Sequence, residues 1–84
     1  MNTRQIELSE DERDLLLQHK YYWGDDVLRK LKRAKNNAGY YKIAVSCFDL
    51  ESMVGNVSML SNHEEDPVAS AELSDLAEHL EVYL

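Results

Sequence analysis

Residues whose side chains could act as a nucleophile, an acid or a base are few in this 84-residue chain, and they are scattered along it. Cys47 is the only cysteine, so no internal disulfide can form. It falls at the start of a predicted helix, a position that can activate a thiol, but no histidine lies near it in sequence. We therefore interpret Cys47 as a plain buried thiol without a catalytic role.

Residue types that bind metals occur together in two places. Glu72, Asp75 and His79 share one face of a predicted helix, because they are separated by three and four residues. The segment His63–Asp66 reads HEED, but its spacing is not that of a calcium-binding loop. Two carboxylates and one histidine on a solvated helix are common without a metal, so we expect neither a metal nor another cofactor. Phosphate-binding, zinc-protease and hydrolase motifs are also missing, which favours binding over catalysis.

Most of the positive charge lies in one stretch of an otherwise acidic chain. Residues 1–42 contain all 9 Lys and Arg and 7 acids, whereas residues 43–84 contain 9 acids and no Lys or Arg. Six of the basic residues fall within residues 29–42, which contain no acid: Arg29, Lys30, Lys32, Arg33, Lys35 and Lys42. Such a split favours an interaction surface, or a fold in which the two halves neutralise each other.

The basic stretch has three interpretations. It is a solvated helix face, a surface that docks an acidic protein, or a nucleic-acid-binding surface whose tyrosines stack on bases. The net charge of −7 argues against nucleic acid, because dedicated binders are usually basic. We expect a protein partner, with Arg29, Lys32 and Arg33 making the charge contacts. Trp23 is the expected aromatic anchor and Tyr40 completes the surface, since aromatic residues and Arg are frequent in binding hot spots.

The acidic half of the chain also has two interpretations. Glu72, Asp75, Glu78 and Glu81 line the outer side of the last predicted helix. Such a run either keeps the helix in solution or imitates a phosphate backbone. We favour the solvated face.

Capping signals and hydrophobic periodicity predict the elements that position these residues. The expected fold is a single small α+β domain over residues 1–84, mainly helical, with two short strands and four helices in the order β-α-α-β-α-α. Its elements are a strand at residues 5–8, a helix from Ser9 to about Lys20, a helix over residues 25–37, a strand at residues 40–45, a helix from Cys47 to about Asn62, and a helix from Pro67 to the C-terminus. Asn36, Asn37 and Gly39 are expected to stop the second helix. An alternative groups the first two helices as a helix-turn-helix with Gly24 in the turn, and residues 40–45 then belong to a wing.

The third predicted helix is unusual because residues 52–63 include no side chain that is ionised at neutral pH. Phe48 and Met59 lie off its main apolar stripe, and Gly55 costs about 1 kcal/mol relative to Ala inside a helix. Close packing by a neighbouring helix within the monomer is one explanation, which we favour slightly. A self-association face formed by Phe48, Gly55 and Met59 is the other, because interface cores contain few charges.

The beginning of the chain and its apolar runs predict the compartment. The first twelve residues include no apolar segment of the kind that directs secretion, and no uncharged run approaches the ~20 residues that span a bilayer. We expect a cytoplasmic protein that does not insert into membranes. The expected function is that of a small acidic protein-interaction module, an adaptor, inhibitor or regulator. A nucleic-acid-binding module that uses residues 25–37 is the alternative, and a homo-oligomer built on the third helix is a third option.

Overall fold

A three-stranded antiparallel sheet forms one layer of the fold. The computed structural model describes residues 3–84, so residues 1 and 2 of the expected domain lie outside the described residues. The strands are β1 (Thr3–Ser9), β2 (Asn36–Asn37) and β3 (Tyr40–Ser46). Their order in the sheet is β1-β3-β2, and both pairings are antiparallel.

Helices make up most of the remaining structure. Within residues 3–84 the α-helices are α1 (Glu10–Gln18), α2 (Asp25–Arg33), α3 (Cys47–His63) and α4 (Pro67–Glu81), and a short 3₁₀ helix covers Lys20–Tyr22. The predicted fold class, a small and mainly helical α+β domain, is therefore confirmed, with the very short β2 as an addition. No helix in this part of the chain has the length and apolar character needed to cross a bilayer.

Side chains cap the starts of three helices. Ser9 Oγ accepts a hydrogen bond from the Glu12 N–H at 3.2 Å, and Glu12 Oε1 accepts one from the Ser9 N–H at 2.9 Å. These two bonds form a capping box at the start of α1. Ser46 caps α3 through the Asp49 N–H, and Asp66 caps α4 with Pro67 in its first turn.

The second helix ends earlier than the sequence suggested. The predicted span of residues 25–37 is wrong beyond Arg33, because Ala34 leaves the helical conformation and Asn36–Asn37 form β2. The Asn-rich segment begins a two-residue hairpin loop rather than capping the helix. Ala38 and Gly39 form this loop with φ of 57° and 89°, and Asn36 Oδ1 accepts a hydrogen bond from the Gly39 N–H at 2.9 Å. Positive φ at both central residues is characteristic of the tight turns that join antiparallel strands.

The core lies between the helices and one face of the sheet. Ile6 on β1 is opposite Ile43 on β3, and both are buried. Each helix adds its apolar face to the same cluster, which includes Leu16, Leu31, Leu50, Met53, Leu73, Leu76 and Leu80. The other face of the sheet is left largely to solvent, and Lys42 and Ala44 lie on it.

β3 is the central strand of the sheet, with β1 on one side and β2 on the other. The pairing with β1 extends over the full length of β3, from Thr3 opposite Ser46 to Ser9 opposite Tyr40. It is therefore part of the main sheet that carries the core, and it also forms the short hairpin with β2 that follows the first two α-helices.

Candidate functional site

In the part of the chain that it describes, the structure does not bring the candidate catalytic and metal-binding side chains, such as His79 and Cys47, together into one site. Nδ1 of His79 pairs with Oε2 of Glu12, so the histidine ring contacts α1 and does not join Asp75. Within residues 3–84, no group of three or more His, Cys, Asp or Glu side chains is arranged to hold a metal ion. Cys47 is a free thiol and is partly exposed, whereas the sequence suggested a buried one.

The basic residues of α2, of β3 and of the segment between them are exposed or partly exposed, and we call them together the basic surface. It consists of Arg29, Lys30, Lys32, Arg33, Lys35 and Lys42. Part of it lines a shallow groove of about 410 Å³ between α2 and β3. Four basic residues and one acid line this groove, and three residues supply apolar atoms: Arg29, Lys30, Arg33, Lys42 and Asp26, with Ala34, Ile43 and Ala44. The groove therefore combines a net positive charge with apolar atoms.

Ion pairs neutralise only part of the basic surface. Asp26 is shared by Arg29 at 3.6 Å and Lys30 at 3.4 Å, and Lys42 pairs with Glu7 at 3.6 Å. The side chains in these pairs are between 37% and 62% exposed, so each pair contributes at most about 1 kcal/mol. They are weak enough to be exchanged for the carboxylates of a partner.

Among residues 3–84, no Lys or Arg of the basic half forms an ion pair with an acid of the second half. In the described part of the chain, every ion pair of a Lys or Arg is formed with an acid from residues 1–42. The structure also gives Lys32, Arg33 and Lys35 no carboxylate within 4.0 Å among residues 3–84. The described acids of α3 and α4 are therefore not paired with the basic surface.

The expected partner-binding residues are not all in one place. Arg29 and Arg33 line the groove, whereas Lys32 is exposed outside it. Tyr40 is 50% exposed at the start of β3, two residues before Lys42, and their side chains lie on the same face of the sheet.

Trp23 belongs to the core instead of the surface. Its side chain is 8% exposed, and its Nε1–H donates a hydrogen bond to the Leu16 carbonyl at 2.6 Å. The ring is therefore covered and its polar atom is used, so a partner cannot reach it as the anchor that the sequence suggested. Burial of Trp23 follows from the packing of the segment between α1 and α2 over the core, which the local sequence does not specify.

An acidic groove of about 470 Å³ lies between α1 and α4. Five carboxylates line it, from Asp11, Glu12, Asp14, Glu72 and Asp75, and Leu15 and Leu76 lie at its base. Two of the four acids expected on the outer side of α4, Glu72 and Asp75, are thus joined by acids of α1. The sequence analysis missed this grouping because it depends on how the two helices pack.

The outer side of α3 is exposed and uncharged. Phe48 is 76% exposed, Met59 is 39% exposed, and Ser52 and Gly55 are exposed between them. A Cβ atom added at Gly55 would meet no atom within 4 Å. Internal packing against Gly55, which the sequence analysis favoured slightly, is therefore wrong. The second explanation, self-association, is not tested by this geometry and is taken up below.

Sequence reasoning also missed members of both surfaces. Lys30 and Lys42 line the basic groove, although the sequence analysis assigned the charge contacts to Arg29, Lys32 and Arg33. The alternation of side chains along β3 is the signal that could have placed Lys42 on the same face as Ala44. Tyr22 adjoins the outer side of α3, because the Asn56 side chain donates a hydrogen bond to the Tyr22 carbonyl at 3.3 Å. No sequence signal links Tyr22 to α3.

Comparisons of the chain with protein-family models, with curated proteins and with solved structures gave no match.

Proposed function

We propose that this protein is a small interaction module that binds an acidic surface of another protein through the basic surface of α2 and β3. The observation that carries the proposal is the position of the positive charges. Solvation alone requires polar residues on the outer side of α2, but it does not require that residues 29–42 carry six basic residues and no acid.

The composition of the groove favours the interpretation as a protein-binding surface over the interpretation as a solvated helix face. Arg33 and Lys32 are exposed and have no carboxylate partner among the described residues, so they can form charge-assisted hydrogen bonds without first losing one. Ala34 and Ala44 lie beside the charges and offer apolar contact. A helix or strand with acidic residues flanking small apolar ones fits both properties.

Nucleic acid is the second candidate, because the same charges attract phosphates. Two features of the surface favour protein over nucleic acid. Asp26 and Glu7 lie among the basic residues and would repel a phosphate backbone, and the rest of the chain is strongly acidic. The proposal keeps the cytoplasm as the compartment and needs no cofactor and no catalytic residue.

Titration calorimetry with poly-L-glutamate and with a short DNA duplex tests the proposal. We expect poly-L-glutamate to bind at low salt, and the binding to weaken as salt screens the charges. Arg33→Glu should weaken this binding several-fold. Lys20→Glu is the matched control, since Lys20 is exposed, lies outside the basic surface and undergoes the same change in charge. Binding that is absent at low salt, or that both variants weaken equally, would contradict the proposal. The chain could instead bind the duplex more tightly than poly-L-glutamate. If Arg33→Glu abolished that binding and Lys20→Glu did not, the basic surface would be assigned to nucleic acid.

A further inference from the structure

The exposed residues of α3 form a stripe on the side of the helix directly opposite its buried residues. Phe48, Ser52, Gly55 and Met59 follow one another at intervals of four, three and four residues. At 100° per residue they share an arc of roughly 60°. The buried residues Leu50, Met53, Val54 and Val57 occupy the other side. We call these four exposed residues the α3 stripe.

Charged residues normally occupy the solvent side of an amphipathic helix. The α3 stripe has none, although the chain as a whole is 30% charged. Glu51 borders the stripe on one side, and Asn56 with Tyr22 borders it on the other. Tyr22 is 46% exposed, and the hydrogen bond to its carbonyl from Asn56 places the 3₁₀ helix beside α3.

The spacing of residues in the α3 stripe is compatible with pairing of two copies about a two-fold axis. Its order is large, small, small, large, and the intervals read the same in both directions. If a second copy of α3 crosses it in the antiparallel direction, Phe48 lies opposite the second copy's Met59, and Ser52 lies opposite its Gly55. Each bulky side chain then packs at an end of the contact, and the small residues meet at the centre.

Gly55 has a role in this arrangement that the monomer does not give it. Since a Cβ at this position would meet nothing, the monomer does not need glycine there, and glycine costs helix stability. A second helix can approach more closely where a side chain is missing, toward the short end of the 8–10 Å range of helix packing distances.

The absence of charge on the α3 stripe favours an occupant whose own face is uncharged. A partner with a charged face would leave its charges unpaired against the stripe, whereas a second copy presents the same uncharged face. In the antiparallel arrangement the two copies of Glu51 lie on the same flank of the contact, about 7.5 Å apart along the helix axis, and both are exposed to solvent.

From this pattern we infer that two copies of the chain form an antiparallel two-fold dimer through the α3 stripe, with Gly55 at the crossing point. The contact extends over about three turns of helix. It belongs to the small interfaces, below about 1,200 Å², so the dimer forms at high protein concentration and exchanges readily. The inference is independent of the proposed function, because it uses neither the basic surface nor its partner.

Sedimentation equilibrium at protein concentrations up to about 1 mM tests the dimer, because weak interfaces of this size need such concentrations. We expect the mass to approach that of two chains, and Met59→Lys to restore the mass of one. Val68→Lys is the matched control, since Val68 is an exposed apolar residue on α4 that undergoes the same change in charge. Circular dichroism checks that each variant is folded. An unmodified chain that stays monomeric throughout, or equal loss in both variants, would overturn the inference.

Salt separates this contact from the basic surface. Raising the salt from about 50 mM to about 500 mM screens charge–charge attraction. It should leave the dimer unchanged or strengthen it, because the two copies carry the same net charge. A dimer that dissociates in high salt would be held by opposite charges and not by the α3 stripe.

Cysteine cross-linking tests the direction of the pair. Cys47→Ser is introduced first, because the native thiol is next to Phe48 in sequence. In this background, Phe48→Cys and Met59→Cys chains are oxidised separately and as an equal mixture. The antiparallel dimer brings residue 48 of one copy to residue 59 of the other and separates equal residues by about 16 Å along the helix, too far for a disulfide. We expect the mixture to cross-link several-fold faster than either variant alone. Faster cross-linking of either single variant would show a parallel pair and overturn the arrangement.

Discussion

Glu12 holds the first helix to the last through His79. One carboxylate oxygen of Glu12 accepts the hydrogen bond from the Ser9 N–H that completes the capping box of α1. The other oxygen pairs with Nδ1 of His79 on α4. The ring of His79 in turn lies 5.5 Å from the ring of Tyr83, whose hydroxyl accepts a hydrogen bond from the Glu7 N–H on β1. One side chain therefore takes part in both a local cap and a contact between distant parts of the chain.

Variants at Glu12 should separate these two contributions. Glu12→Gln keeps an acceptor for the Ser9 N–H and loses the charge beside His79, so we expect the free energy of unfolding to fall by about 0.2–1 kcal/mol. Glu12→Ala also loses the cap, and we expect a further loss of about 0.5–2 kcal/mol. Urea unfolding followed by circular dichroism measures both. His79→Ala should have little additional effect in the Glu12→Gln background, and a full additive effect there would argue against the pairing.

Ser61 and Ser70 should stabilise the packing of α3 against α4. Ser61 Oγ donates a hydrogen bond to the Ser70 carbonyl at 2.9 Å, and Ser70 Oγ donates one to the Ser61 carbonyl at 2.8 Å. We expect each change to Ala to lower the free energy of unfolding by about 0.5–1.5 kcal/mol relative to Ser74→Ala. Ser74 is exposed on α4, so its variant measures the gain in helix propensity alone. Equal unfolding curves for all three variants would show that the exchanged hydrogen bonds contribute nothing.

The hairpin between β2 and β3 contains a strained alanine. Ala38 has a φ of 57°, in the left-handed region that costs an L-residue about 1–2 kcal/mol. Ala38→Asn creates the Asn-Gly pair that this type of turn prefers, and we expect the free energy of unfolding to rise by roughly 0.5–1 kcal/mol. Gly39→Ala should lower it by a similar amount, because Gly39 has a φ of 89°. A loss of stability in Ala38→Asn would be inconsistent with this turn.

Gly55→Ala should have opposite effects on the monomer and on the proposed dimer. The added Cβ meets no atom within 4 Å, so the variant gains helix propensity without a clash. At low protein concentration we expect the free energy of unfolding to rise by about 0.5–1 kcal/mol. The same methyl group lies at the proposed crossing point of the two α3 helices, so the dimer should dissociate at a higher concentration than before. A destabilised monomer would mean that Gly55 has an internal role after all.

The sequence predicted the starts of the helices better than their ends. The hydrogen bonds that begin α1, α3 and α4 join residues within three positions of each other, so Ser9, Ser46 and Asp66 could be identified from local patterns. The end of α2 depends instead on the pairing of Asn37 with Tyr40 in the sheet. That pairing competes with continuation of the helix, and it is stabilised only when β3 is packed on the core.

The residues of the candidate surfaces were also predicted correctly where the local sequence determines their position, and missed where packing between distant segments determines it. Periodicity places Arg29 and Arg33 on the outer side of α2, and the structure agrees. It does not show that Lys42 joins them, since their groove exists only where α2 packs beside β3. Composition alone marked Trp23 as a surface anchor, but its burial depends on the route of the chain between α1 and α2.

The burial of Trp23 gives the protein an internal optical probe. It is the only tryptophan, so the fluorescence excited at the red edge of the absorption band comes from one indole ring in one environment. That ring is shielded and hydrogen-bonded in the folded chain, and its emission should shift to longer wavelength when the segment between α1 and α2 separates from the core. The Tyr22 ring lies 6.4 Å from it, close enough to transfer excitation energy. A molecule that covers Tyr22 on the side of α3 should therefore change the light that Trp23 emits without touching the tryptophan itself.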